Sequence, residues 1–374
     1  MSPFVRAVAV LVAAAPAAAA ATPEQIDVAI SKGVAALKNR YRTGHPAAGN
    51  IGTNHGIGPS ALAGIALLEA KTPAGDPAVK AITAAVRDQA YREHSTYQLA
   101  LSLIFFDRLE DPADGPLIQL LGVRLVNGQN ARGGWGYTCA DSIPQAVEQR
   151  LRAGLKSAEL VAGKDGPKGP PKLHPVVQEY FNSIWAARNP SALTDDNSNT
   201  QFAVLAVWAA RKYGVPVDPA LDQIERRFMG SQDQQGAWTY SDGAGGNGTP
   251  SMTCAGLLGL ATAIGRREER RHKTEAPKVE PGPKSNDPFF NPPPRPEGKG
   301  PAGPKRPPDA RDLAAGRGFG FLGAALAGRG GMPGMDTHNL YFLWSLERVG
   351  VIYGVDKIGG IDWYAVGSEH LVRT

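Results

Sequence analysis

Five stretches of the chain, residues 60–68, 96–104, 200–208, 253–261 and 337–345, are apolar almost all round a helical period. Each begins on a Ser or Thr: Ser60, Thr96, Thr200, Thr253 and Thr337. A helix without a polar face has no side to turn to water, so these five are predicted to be buried. Between them lie amphipathic segments, 24–40, 76–92, 114–126, 219–229 and 310–326, each with one charged and one apolar stripe. Buried and amphipathic helices in alternation are what two concentric layers of helices require. No alternation of period two runs long enough to predict a sheet.

Two connections share one spelling. Gln129, Gly133 and Trp135 recur at the same offsets as Gln232, Gly236 and Trp238, giving QxxxGxW twice. A fixed Gln, Gly and Trp between helices marks an internal repeat. The expected geometry is a strap. Gly133 and Gly236 allow a tight turn. Trp135 and Trp238 fold back as apolar plugs between helices, and the glutamines bond free backbone groups at helix ends.

This spelling resembles the QW repeat of squalene and terpenoid cyclases, and the related repeats of protein prenyltransferase β-subunits. The resemblance implies an all-α fold, an (α/α) toroid of about five to six helix-pair repeats spanning residues 22–374. The alternation alone also fits an open helical array such as a solenoid. Residues 360–373 look like the outer helix of a last, incomplete repeat, with no strap or inner partner after it. Either the chain is a fragment, or the ring is open at the seam between its first and last repeats; an open seam would leave apolar inner faces uncovered.

At 374 residues with 42% hydrophobic content, the chain can fill one large core. Its N-terminus reads as an export signal over residues 1–21: Arg6, an apolar stretch from Ala7 to Ala15, then small residues up to Ala21. The expected location is periplasmic or extracellular. No stretch is predicted to span a membrane. Two cysteines, Cys139 and Cys254, either form one disulfide or are buried free thiols.

The charge sits in one place. From Arg266 to Arg311, twelve Lys/Arg stand against seven Asp/Glu, an excess equal to the chain's formal net charge of +5. Twelve of the 31 prolines lie between Pro277 and Pro308. Too few apolar residues remain to offset the ordering entropy, so 270–309 is expected to be a disordered insertion. A shorter insertion is expected at 163–175. With few aromatics among these charges, nucleic-acid binding is not expected.

Three groups are candidates for chemistry. The first is the run from Asp195 to Thr200, which begins the third apolar helix. Cyclases of the resembling family carry a DxDDTA-like motif there, whose middle acid protonates an alkene. Aligned on Thr200, this chain offers Asp196, Ser198 and Asn199. A serine hydroxyl is far too weak an acid for that step. Asp196 remains as a weak catalytic candidate, or as the cap of the helix.

The second is Cys254 with His338, each one residue after the aligned threonine. Prenyltransferase β-subunits hold zinc there with an Asp, a Cys two residues on, and a His on the next inner helix. Met252 stands where the Asp belongs, and an open zinc site needs three protein ligands. The expectation is no cofactor, with zinc at Cys254 and His338 as the alternative.

The third is an aromatic set, Tyr97, Phe105, Phe106, Phe202, Trp208, Tyr341, Phe342 and Trp344, that either packs the core or lines a cavity. Small residues on the same helices (Gly64, Ala100, Ala203, Gly256, Gly259) either widen that cavity or let helices approach.

The expected function is that of an exported toroid-repeat protein without cyclase chemistry, binding an apolar small molecule or an envelope protein. The alternative is an enzyme, a terpenoid cyclase or zinc-dependent prenyltransferase-like transferase with a non-standard site.

Overall fold

The structure is a computed structural model. It describes residues 20–42, 56–159, 172–192, 194–241, 246–275, 308–328, 336 and 338–374. It is all-α apart from one two-residue hairpin.

The helices run in chain order as α1 (Pro23–Arg40), α2 (Gly58–Glu69), α3 (Pro77–Gln89), α4 (Thr96–Leu109), α5 (Gly115–Asn127), α6 (Gln145–Glu159) and α7 (Pro175–Ala186). Then follow α8 (Asn197–Ala210), α9 (Asp218–Gly230), α10 (Pro250–Glu275), α11 (Ala310–Leu326), α12 (Leu340–Tyr353) and α13 (Trp363–Arg373). The hairpin, β1 (Lys357–Ile358) and β2 (Ile361–Asp362), precedes α13.

The apolar stretches are the central helices α2, α4, α8, α10 and α12. Each packs on the next in that order. Thirteen of the fourteen residues of α8 are buried, so it is covered on every side. The amphipathic helices lie outside them: α3 on α2, α5 on α4 and α8, α9 on α8 and α10, α11 on α10. In α3 the buried residues Ala78, Val79, Ile82 and Val86 form one stripe, and its first turn is closed by Asp76, which accepts from Ala78 N at 2.9 Å. That is the face-and-cap arrangement of a surface helix. By contrast α1 buries no residue.

Several expectations need correction. The pair α6 and α7 was not foreseen; α7 packs on α5, and α6 on both α5 and α7. Residues 270–275, expected within the long insertion, are the last residues of α10, which runs to Glu275. Asp309 already caps α11 and pairs with Arg267. Residues 276–307 lie outside the described residues, as do 1–19 of the expected signal and 163–171 of the shorter insertion.

Helix α13 packs on both α12 and α1. Apolar groups are still exposed beside it, among them Val28, Ile30, Tyr364 and Leu371. A short sheet is present where none was predicted. Gly359 and Gly360 both have positive φ, as a two-residue hairpin turn demands. Among the described residues, no helix is long and apolar enough to cross a membrane.

Candidate functional site

The site is built on the two connections spelled alike, which make the same bonds. Gln129 Nε2 donates to Gly133 O at 3.1 Å and to Ala220 O at 3.0 Å; Gln232 Nε2 donates to Gly236 O at 2.9 Å and to Ala314 O at 2.8 Å. Each glutamine thus ties its own turn to the next outer helix. Trp135 Nε1 donates to Leu125 O at 2.8 Å, and Trp238 Nε1 to Phe228 O at 3.0 Å, both reaching back ten residues. Both indoles are fully buried.

Gly133 and Gly236 have φ of 82° and 88°. A Cβ there would lie 2.5 Å from Gln223 O or Arg317 O, so each glycine is required both by its backbone and by the outer helix against it. The carbonyl of each Trp then accepts from the backbone ahead of the next central helix: Asp196 N donates to Trp135 O at 3.0 Å, and Thr249 N to Trp238 O at 3.1 Å.

The first strap therefore positions Asp195 and Asp196 at the start of α8. Extended backbone at Asp196 sends the two side chains to different partners. Asp195 meets Arg227 Nη2 at 2.6 Å, Arg132 Nη2 at 2.7 Å, and Asn130. Burial alone would raise its pKa, but the bonds from Arg227, Asn130 and Arg132 outweigh it and hold the carboxyl below its ordinary value.

Among the described residues, no Lys or Arg pairs with Asp196. Its Oδ1 accepts from Asn199 N at 2.7 Å and its Oδ2 from Asn199 Nδ2 at 2.8 Å. Burial pushes its pKa up more than these bonds lower it, and the neighbouring Asp195 charge adds to the rise. Both oxygens are spent on closing the first turn of α8, which is the work of a helix cap.

Beyond Asp196 lies a cluster of rings. Tyr97 OH and Ser198 Oγ share a hydrogen bond at 2.6 Å. Tyr341 OH donates to Gln201 Oε1 at 3.2 Å, and Gln201 Nε2 donates to Ser345 Oγ at 2.8 Å. Phe202 stacks on Trp344 with centroids 4.7 Å apart and planes 2° from parallel. Phe202 also packs against Tyr97 at 4.9 Å and against Tyr341 at 6.3 Å. Rings from α4, α8 and α12 thus meet one another.

The small residues serve close approach. Gly64 receives Phe105, while Gly256 and Gly259 receive Trp238 and Phe228. Phe105, Phe106, Trp208 and Phe342 are buried in the core.

The sequence reading missed Tyr137 and Tyr240. Each stands two residues after its strap tryptophan, so the repeated spelling extends to QxxxGxWxY. Both are exposed, and their hydroxyls meet at 2.9 Å. Tyr97 packs against Tyr137 at 6.3 Å, which joins the exposed pair to the interior cluster.

Cys254 and His338 are placed differently from each other. Cys254 is fully buried and burial raises its thiol pKa. His338 is exposed, and its ring packs edge-on against His370 of α13 at 4.9 Å. Met252 is buried nearby in sequence on α10. Among the described residues, no three His, Cys, Asp or Glu side chains are grouped to hold a metal. Cys139 and Cys254 are both free and buried. Burial pushes the Cys139 thiol up to about 12. Compared with known proteins, the chain matches no family model, no curated protein and no solved structure.

Proposed function

We propose that this chain is a non-catalytic (α/α) toroid of the terpenoid cyclase and prenyltransferase repeat type, exported from the cytoplasm, that binds an envelope protein on its strap-bearing rim. The succession α2, α4, α8, α10, α12, with amphipathic helices outside it and α13 against α1, supports the toroid. The repeated straps support the repeat type.

One observation carries the functional reading. Phe202, stacked on Trp344 and flanked by Tyr97 and Tyr341, draws rings from α4, α8 and α12 together, where a toroid of the cyclase type would need room for its substrate. An apolar small molecule then has little reason to enter there. The rim offers something else: Tyr137 and Tyr240, exposed, paired through their hydroxyls and backed by packed rings. Rigid tyrosines with an apolar body and a polar tip are enriched in protein interfaces.

The experiment is photo-crosslinking from position 137 or 240 in the native host, with the crosslinked species identified by mass spectrometry. One specific protein, lost when both tyrosines are alanine in a folded variant, is the expected result. Recovery of a polyprenyl compound in the purified protein, unaffected by those substitutions, would instead restore the small-molecule or enzyme reading.

A further inference from the structure

His338 and His370 come from different elements, the turn before α12 and the last turn of α13. Their rings meet edge-on, with centroids 4.9 Å apart and planes at 67°. Each is held from its own side. Next to His338, Asn339 caps α12 by accepting from Phe342 N at 3.0 Å. Helix α13 is capped by Asp362, which accepts from Ala365 N at 2.8 Å. Trp363 then pins α13 to α12: its ring lies where Gly350 has no Cβ, and its Nε1 donates to Val355 O at 2.7 Å. The meeting of the two imidazoles is therefore set by anchored helices.

Both rings keep their nitrogens for another partner. Among the described residues, no hydrogen bond or ion pair is made to either imidazole. The neighbouring Glu369 is turned to Arg373 at 2.5 Å. His338 is exposed and His370 half-buried, so solvent reaches the pair. A neutral imidazole offers one nitrogen lone pair and is the commonest protein ligand of transition metals. The spacing fits a shared ion. With metal–nitrogen bonds of about 2.1 Å, and each ring centroid about 1.1 Å behind its nitrogen, ligand angles of about 90–110° set the centroids about 4.5–5.2 Å apart. The observed 4.9 Å falls inside that range. The ring torsion χ2 of histidine is broad, so aiming one nitrogen from each ring at a common point costs little.

We propose that His338 and His370 form a site for a divalent transition metal, which ties the start of α12 to the end of α13. The donors choose the ion. Two imidazoles are too few for zinc, whose closed sites take four protein ligands and whose open sites take three. Calcium and magnesium prefer oxygen ligands. Cu(II) and Ni(II) accept nitrogen donors in a square or tetragonal arrangement that water completes, and Cu(II) binds tightest in the series. Cu(II) is thus the expected occupant. Because α13 also packs on α1, an ion there braces the helix that joins α12 to α1. The site makes no use of the buried Cys254 and does not depend on the partner proposed for Tyr137 and Tyr240.

The test is calorimetric titration of the full chain, stripped with a chelator, with the chlorides of Cu(II), Ni(II) and Mg(II). Cu(II) binding with a dissociation constant of about 100 μM or tighter, weaker binding of Ni(II) and none of Mg(II) are expected. His338→Asn and His370→Asn should each weaken Cu(II) binding at least about tenfold, or about 1.4 kcal/mol. His94→Asn, which removes another exposed histidine, should leave it unchanged. Electron paramagnetic resonance of the Cu(II) form should show two nitrogen donors in the wild type and fewer in either variant. Saturating Ni(II) should raise the melting temperature of the wild type and of neither variant, since only the folded chain brings the two rings together. No Cu(II) binding, equal affinity in the wild type and both variants, a loss in only one of the two, or an equal loss in His94→Asn would overturn the proposal.

Discussion

Asp195 and Asp196 are adjacent in the chain, and their carboxyls shift in opposite directions. Asp195 faces Arg227 and Arg132 and is held ionised, while Asp196 faces Asn199 and is pushed toward its neutral form. The signs of their pH dependence follow. Asp195, lowered, contributes stability above its unfolded value of 3.8, and that contribution is lost as pH falls through its native value. Asp196, raised, does the reverse: its contribution is present below 3.8 and is lost as pH rises through its native value.

Asn substitution separates the two. Asp195→Asn leaves Arg227 buried beside a neutral partner and should cost about 3–5 kcal/mol in chemical denaturation at pH 7. Asp196→Asn retains a capping side chain and should change stability by less than about 1 kcal/mol, whereas Asp196→Ala should cost about 0.5–2 kcal/mol. If Asp196→Asn proved as damaging as Asp195→Asn, Asp196 would have a partner beyond its cap.

The straps give a second prediction. Trp135 and Trp238 are wholly buried with bonded indole nitrogens, so Trp→Ala at either site should cost about 3–5 kcal/mol. The losses should be similar because the two environments match bond for bond. Gly133→Ala and Gly236→Ala should each destabilise too, through positive φ and through contact with Gln223 O or Arg317 O. A silent Gly→Ala variant in thermal melts would contradict the close approach described above.

These straps were the most legible part of the sequence, for a physical reason. Gln, Gly and Trp each do something that no other residue does as well at those points, so their spelling survives in both copies. The central helices were equally readable, since a helix such as α8 that is buried on all sides must be apolar throughout. The pair α6 and α7 was not legible. Helix α6 is rich in Glu and Arg, for example Glu148, which pairs with Arg92 and Arg152, and it lacks the apolar run that marked the others. The pairing of the exposed Tyr137 and Tyr240 was not legible, because it depends on two straps far apart in the chain being brought side by side. The placement of Asp195 away from Asp196 depends on tertiary partners far along the chain and has no local signal.

The third prediction concerns the ends of α10 and α11. Arg267 bonds Asp312 at 2.9 Å and 3.0 Å and meets Asp309, and Arg311 bonds Glu225 at 2.7 Å. Burial alone would raise Asp309, but its bonds from Arg267 and from the α11 backbone lower it to about 2. Its contribution should be complete above pH 3.8 and fall away as pH drops toward 2. The groups are partly exposed, so the effect should also weaken in high salt. Arg267→Ala should flatten the acid limb of the melting curve. An unchanged acid limb would show that the clasp adds nothing measurable.

The last prediction concerns the two thiols. Cys139 is 2% exposed and Cys254 is not exposed at all, and burial raises the pKa of both. Thiolate is the reactive form, so two separate factors slow attack on these cysteines in the native protein: access and ionisation. A disulfide reagent at pH 8 should find no thiol quickly in folded protein and both after denaturation. The same measurement separates competing readings of Cys254. A thiol ligating zinc with His338 would be ionised, would resist the reagent until a chelator was added, and would release one metal ion per chain on modification. A disulfide would leave no thiol after denaturation without reductant. Two thiols that appear together with unfolding, at a rate set by the fraction unfolded and unaffected by chelator, are the expected result. Chelator-dependent exposure of Cys254 would move a metal-holding role for it and His338 to the front.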